Sequence, residues 1–170
     1  MNGHKGMRPQ DIAILLKIVA LGDRPWTGAE LAHALHLSPA EVSNSFKRSV
    51  LAGLIDGTKR RVARTALLEF LKHGLPYVFP TQPGGVVRGV PTAHSAPPLR
   101  TRFAGADAYV WPSAMGSDQG QAVAPLYPGA PVAAMADPAL HELLALADAL
   151  RVGRTRERTE ATKELTKRLK

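Results

Sequence analysis

The 170-residue chain contains no cysteine. That absence excludes disulfides, cysteine-ligated zinc and thiol redox sensing. Long apolar runs are missing as well. The best candidate, in MNGHKGMRPQDIAILLKIVALGDRP, is interrupted by Lys17, lacks a small-residue cleavage site and is too short to span a bilayer. It predicts a helix of a cytoplasmic protein with no membrane partner. Catalytic sets are equally scarce. His33 and His36 stand three apart, but no cysteine or clustered carboxylate completes a metal site, so they predict a surface pair. His94-Ser95 has no acid at a spacing that suggests a triad. Gly84-Gly85 lacks the lysine and helix start of a phosphate loop. No internal repeat is detectable. These absences predict no enzyme, no metal and no cofactor.

What the chain does have is positive charge and strong local punctuation. Net charge is +8 and the pI is 10.2, which favours polyanionic partners, nucleic acid first. The stretch TGAELAHALHLSPAEVSNSFKRSVLAGLI carries two helix-start signals. Thr27 and Glu30 form one capping box; Ser38 and Glu41 form another, with Pro39 at the first helical position. Leu31, Leu35 and Leu37, then Val42, Phe46 and Val50, supply apolar faces, and Gly53 stops the second helix. Two capped helices joined by a tight turn are the layout of a helix-turn-helix. At 100° per residue, Val42, Phe46, Ser49 and Val50 face inward. Ser43, Asn44, Lys47 and Arg48 face outward, with Leu51 as an apolar exception. Asn pairs with adenine, and Arg or Lys with guanine. Glu41 reads as a cap rather than a reader. Leu54 and Ile55 begin a strand, Asp56-Gly57 marks a hairpin turn, and Lys59, Arg60, Arg61 and Arg64 form a basic cluster.

ELAHALHLSPAEVSNSFKRSVLAGLI resembles the core of the bacterial winged helix-turn-helix regulators, the MarR-like and related groups. With flanking helices the resemblance covers residues 7–74. It implies that the second helix is the recognition helix and that the hairpin after it is the wing. The wing cations then lie along phosphates or enter the minor groove, and the short hairpin favours phosphate contact.

Around this core, residues 9–21 predict a helix that is apolar on more than one side. Burial within one domain and burial against a second copy both account for it; members of this family often dimerise through terminal helices. Trp26 is placed to staple the helix start at Thr27. Thr65 is placed to cap a further helix, ALLEFLKH, closed by Gly74. From Leu75 to Ala136 the composition changes. Eleven of the fourteen prolines lie between Pro76 and Pro138, and six of the nine aromatics fall in the same region. Prolines preclude long helices, while the aromatics argue against a disordered linker. Short apolar runs between turn residues predict a small, irregular β-rich unit with an exposed loop at Pro91 to Arg102. Asp137-Pro138 starts a helix that runs to about Val152 and breaks at Gly153. Residues 151–170 hold eight Lys or Arg and three Glu, and predict a solvated amphipathic helix, alternatively a DNA-contacting arm or a partner-binding helix.

The expected class is therefore α+β in three segments. These are a winged helix-turn-helix at 7–74, a Pro/Gly-rich β-containing unit at 75–136 and a helical segment at 137–170. The expected function is sequence-specific binding of double-stranded DNA by a homodimeric transcriptional regulator, with autoregulation of its own operon. The alternative is an antitoxin-like or other protein-interaction winged helix that holds a partner through the C-terminal half.

Overall fold

The computed structural model describes residues 5–170. Helix α1, Pro9–Leu21, follows the predicted boundaries; Asp11 accepts the Arg8 backbone N–H at its start. Helices α2, Gly28–Leu35, and α3, Pro39–Leu51, pack on each other and on α1. The Thr27 box forms in both halves, since Thr27 Oγ1 accepts the Glu30 N–H and Glu30 accepts the Thr27 N–H. The second box forms only in half. Ser38 Oγ accepts the Glu41 N–H at 3.1 Å, but the Glu41 carboxylate is engaged by Arg48 and Gln10. Trp26 does meet the motif's core, with its ring 5.9 Å from that of Phe46 on α3.

Two expectations between α3 and the next helix need correction. The hairpin expected as a wing contracts to one bridge, Ile55 with Val62. Two backbone bonds flank it, Asp56 N–H to the Arg61 carbonyl and Ala63 N–H to the Leu54 carbonyl, both 2.9 Å, and the Asp56 carboxylate closes the turn by accepting the Arg60 and Arg61 N–H groups at 3.0 Å and the Thr58 hydroxyl at 2.7 Å. Thr65 is not a cap: α4 spans Arg64–His73 and starts from Ala63 without a side-chain bond.

The rest of the chain comprises α5, Leu75–Val78; strands β1, Val86–Pro91, β2, Tyr109–Pro112, and β3, Asp118–Ala122; then α6, Ala130–Met135, α7, Pro138–Val152, and α8, Thr155–Arg168. Strand β1 runs antiparallel to both β2 and β3, which pair parallel to each other, so the three short strands close into a ring. Closure brings backbones into contact. A Cβ on Gly89 would stand 1.9 Å from the Trp111 carbonyl oxygen, which leaves room for glycine alone. Of the segment expected as an exposed loop, Pro91 to Arg102, the part from Thr92 to Leu99 turns inward while Arg100 to Arg102 are exposed. It holds a 3-10 turn at Ala93–Ser95, and Thr92, Ala93, His94, Ala96 and Leu99 are buried.

Helix α7 is the axis of the molecule. From Leu143 to Arg151 every residue is buried, so this stretch has no wet face and must be surrounded. It packs against α1, α4, α5, α6, α8 and the 3-10 turn. Each of its fully buried leucines contributes on the order of 2 kcal/mol through removal from water. The apolar α1 is covered by α3 and α7 of the same chain. Helix α8, expected to be solvated, also lies on α7, with Ala161 and Leu165 buried and Arg168 bonded to Glu142 at 2.9 Å. One apolar cluster runs from Ile12 to Leu169. Among the described residues no helix is long and apolar enough to cross a membrane.

One buried polar link joins the N-terminal helices to the rest of the chain, and another fastens the strand ring to α7. Tyr127 donates to the Leu35 carbonyl at the end of α2, 2.9 Å away, and burial pushes its phenol well up. Asp148 on α7 accepts the Thr92 hydroxyl at 2.7 Å, the Trp111 indole N–H at 2.6 Å and the Arg151 guanidinium at 2.8 Å. Arg151 also donates to the carbonyls of Phe79 and Ala124. Burial raises the Asp148 carboxyl above its ordinary value, against the pull of Arg151, Thr92 and Trp111. Replacing Asp148→Ala strands a buried guanidinium and is expected to cost roughly 3–5 kcal/mol in urea unfolding. Asp148→Asn retains an acceptor and should cost less. An alanine variant within about 0.5 kcal/mol of the parent would contradict this role.

Candidate functional site

The outward face of α3 is formed as the helical period demands. Ser43, Asn44 and Lys47 are exposed, while Val42, Ser45, Phe46 and Ser49 are buried. Asn44 and Lys47 line a shallow hollow of about 300 Å³ with Lys5, Arg48 and Leu51. Lys5 was not among the residues singled out from the sequence, because nothing in the short run before α1 ties it to α3. Leu51 is indeed outward, 71 % exposed.

Arg48 occupies a different situation from its neighbours. Its Nε and Nη2 donate to the two oxygens of Asp11 at 2.8 and 2.7 Å, a bidentate pair, and Nη2 also reaches Glu41. Asp11 is wholly buried and the Arg48 side chain is 12 % exposed. The hydrogen bond to Asp11, then that to Glu41, holds the Arg48 pKa above its ordinary value against the cost of burial. Its donors thus lock α3 to α1. A base edge would have to compete with two carboxylates for them.

The basic cluster after Gly57 divides in the same way. Lys59 and Arg61 are exposed, and Lys59 takes a left-handed backbone with φ 60°. Arg60, also exposed, donates to the Trp26 carbonyl at 2.8 Å and stacks its guanidinium 4.5 Å from the Trp26 ring centroid. Arg64 is the first residue of α4 and its guanidinium faces the Arg168 carbonyl. Arg60, Arg61 and Arg64 line a second hollow, of about 450 Å³, between the hairpin and the end of α1, where Asp23 is the acidic neighbour. No α3 residue lines it. The predicted set therefore resolves into two basic surfaces, one on α3 and one at the hairpin root.

The strongly basic tail is partly neutralised where it lies. Glu160 pairs with Lys163 and Arg102, and Glu164 with Lys167 and Arg168. Among the described residues no group of three His, Cys, Asp or Glu is arranged to hold a metal, and His33 and His36 are both exposed. No family model, no curated protein and no solved structure matches the chain.

Two outcomes follow from this geometry. Arg48→Ala leaves the Asp11 carboxylate buried without its cation and is expected to lower stability by about 3 kcal/mol, whereas Lys47→Ala should leave the melting transition unchanged. Equal melting temperatures for the two variants would refute the structural role of Arg48. At the hairpin, the Thr58 hydroxyl and the Arg61 and Arg60 N–H groups hold the Asp56 carboxyl down from 3.8 to about 2. A depressed carboxyl stabilises the turn above its unfolded pKa and loses that contribution as pH falls through its folded pKa. The Arg60 and Arg61 amide resonances should therefore titrate with a midpoint near 2. A midpoint at the ordinary aspartate value would mean that these bonds do not persist in solution.

Proposed function

We propose that the chain is a sequence-specific DNA-binding transcriptional regulator of the winged helix-turn-helix kind. The single observation that carries this reading is the outward face of α3, where Ser43, Asn44 and Lys47 are exposed on a helix that starts at a capped turn. In this reading α3 lies in the major groove. Asn44 pairs with adenine, Lys47 donates to guanine O6 or N7, and Ser43 near the helix start takes a phosphate. Lys59, Arg60, Arg61 and Arg64 contact the backbone, and Lys5 joins them beside α3. Arg48 acts as a positioning residue that fixes the tilt of α3 against α1. A homodimer on a two-fold operator, often that of the regulator's own operon, belongs to the same proposal.

A second reading is favoured by Leu51. An apolar side chain 71 % exposed beside Lys47 suits a protein partner as well as a groove, and the module then binds a protein in an antitoxin-like manner.

Mobility shift with duplex DNA separates the two. A DNA binder is expected to shift random duplex at low salt and to lose affinity steeply as salt rises. Lys59→Ala or Arg61→Ala should each reduce the salt slope by about one, with little change in sequence preference. Asn44→Ala or Lys47→Ala should cost roughly 1–3 kcal/mol on a selected operator and relax its sequence. Absence of any shift at low salt would sink the DNA reading and leave the protein-partner reading standing.

A further inference from the structure

Leu51 closes the outward edge of α3. It is the last residue of the helix and is 71 % exposed. It follows Asn44 by seven residues, so at 100° per residue the two lie within about 20° of one another. Asn44, Lys47 and Leu51 line one hollow of about 300 Å³, and its exposed wall is mostly carbon. The backbone just beyond is bare. Ala52 and Gly53 are exposed as well, and the chain re-enters the core only at Leu54. A large body can therefore approach this end of the helix without meeting a bulky side chain.

A leucine left in water contributes little to the fold, because its carbon is not withdrawn from solvent. Nor does it belong to an apolar patch. Tyr77, Val78, Val86, Met115 and Met135 are also exposed, but they lie on α5, β1, the loop before β3 and α6. Among the large apolar side chains of α1 to α4, Leu51 alone is exposed to this degree. A stable protein interface needs contiguous apolar area on the order of several hundred Å². Around the hollow the neighbours of Leu51 are instead Lys5, Asn44, Lys47 and Arg48. A single apolar group on a basic, hydrogen-bonding edge matches the major groove of a duplex. The groove is polar except at thymine, which presents a C5 methyl group there.

We infer that Leu51 is a specificity-determining residue that packs on the C5 methyl of a thymine in the major groove. This rests on the DNA reading of α3 given above, and it names the base that the apolar end of the helix selects. Helix geometry sets the spacing. Seven residues rise by about 10.5 Å, and base pairs are about 3.4 Å apart. With α3 along the groove, the thymine stands about three base pairs from the adenine paired with Asn44.

The test uses the full chain and a duplex that it selects from a random pool. The selected duplex is made twice, with thymine and with uracil in its place, which removes only the methyl groups. The parent is expected to bind the uracil duplex roughly fourfold more weakly for each Leu51 engaged, the worth of one methyl group withdrawn from water. Uracil at single positions should trace that loss to one thymine per half-site. Leu51→Ala should bind the two duplexes alike, while Leu51→Met should keep the preference. The side chain is exposed, so neither variant should shift the melting transition, and lost discrimination then reports the contact and not the fold. Equal affinity of the parent for both duplexes overturns the assignment of Leu51. So does a preference that survives in Leu51→Ala, as a protein-facing leucine requires. Both outcomes leave the DNA reading in place. No binding to any duplex at low salt overturns the DNA reading and this inference with it.

Discussion

A single buried carboxylate sets the register between α7 and the strand ring. Asp148 gathers a hydroxyl from the segment after β1, an indole from β2 and a guanidinium from its own helix. Through Arg151 the same cluster holds the end of α5 and the segment after β3. Apolar packing around α7 is plentiful but non-directional, and leucines tolerate sliding. A polar cluster in a dry interior does not, because each donor left behind costs its full desolvation. The small strand ring is too short to be stable alone. It is held by bonding to a helix that α1, α4, α5, α6 and α8 also touch.

A second carboxylate plays the same part for the N-terminal helices. Asp11 fixes Arg48, and Arg48 fixes Glu41, so α1 and α3 are joined by a paired charge inside their interface. The result is a firm base for the exposed side chains one turn away. It also explains how a face can be rich in cations and yet offer fewer of them to a ligand than the sequence implies.

What was legible in the sequence was whatever depends on near neighbours. The Thr27 box, the Ser38 cap, Pro39 and the start of α7 at Asp137 all lie within one turn of the groups they satisfy, and all four form. Helical period also placed Ser43, Asn44 and Lys47 outside. It could not place Arg48, because period gives a direction and not a partner, and Asp11 lies in another helix. The same limit hid the environment of His94, whose carboxylate neighbour Glu157 belongs to α8. The interior character of Thr92 to Leu99 is illegible because an irregular segment has no period to betray its buried side. Helix α8 looked solvated because two of its buried residues, Glu157 and Glu164, are acids, the first bonded at the helix start and the second paired with cations. The shortness of the hairpin is visible in the single Asp56-Gly57 turn; that the Asp56 carboxylate also gathers the Thr58, Arg60 and Arg61 donors is not.

The bond from Tyr127 to the Leu35 carbonyl has one more consequence. A helix end leaves carbonyls that its own turn cannot satisfy. Here one of them, at the turn between the two helices of the motif, is satisfied by a side chain that follows β3. Gly129 lies against the same carbonyl, with room for no larger side chain nearby, since a Cβ there would come within 2.8 Å of the Tyr127 ring. The α2–α3 pair is therefore not a portable cassette. Its turn is finished by the far half of the chain, so any insertion or rearrangement in the Pro-rich middle is felt at the turn that aims α3.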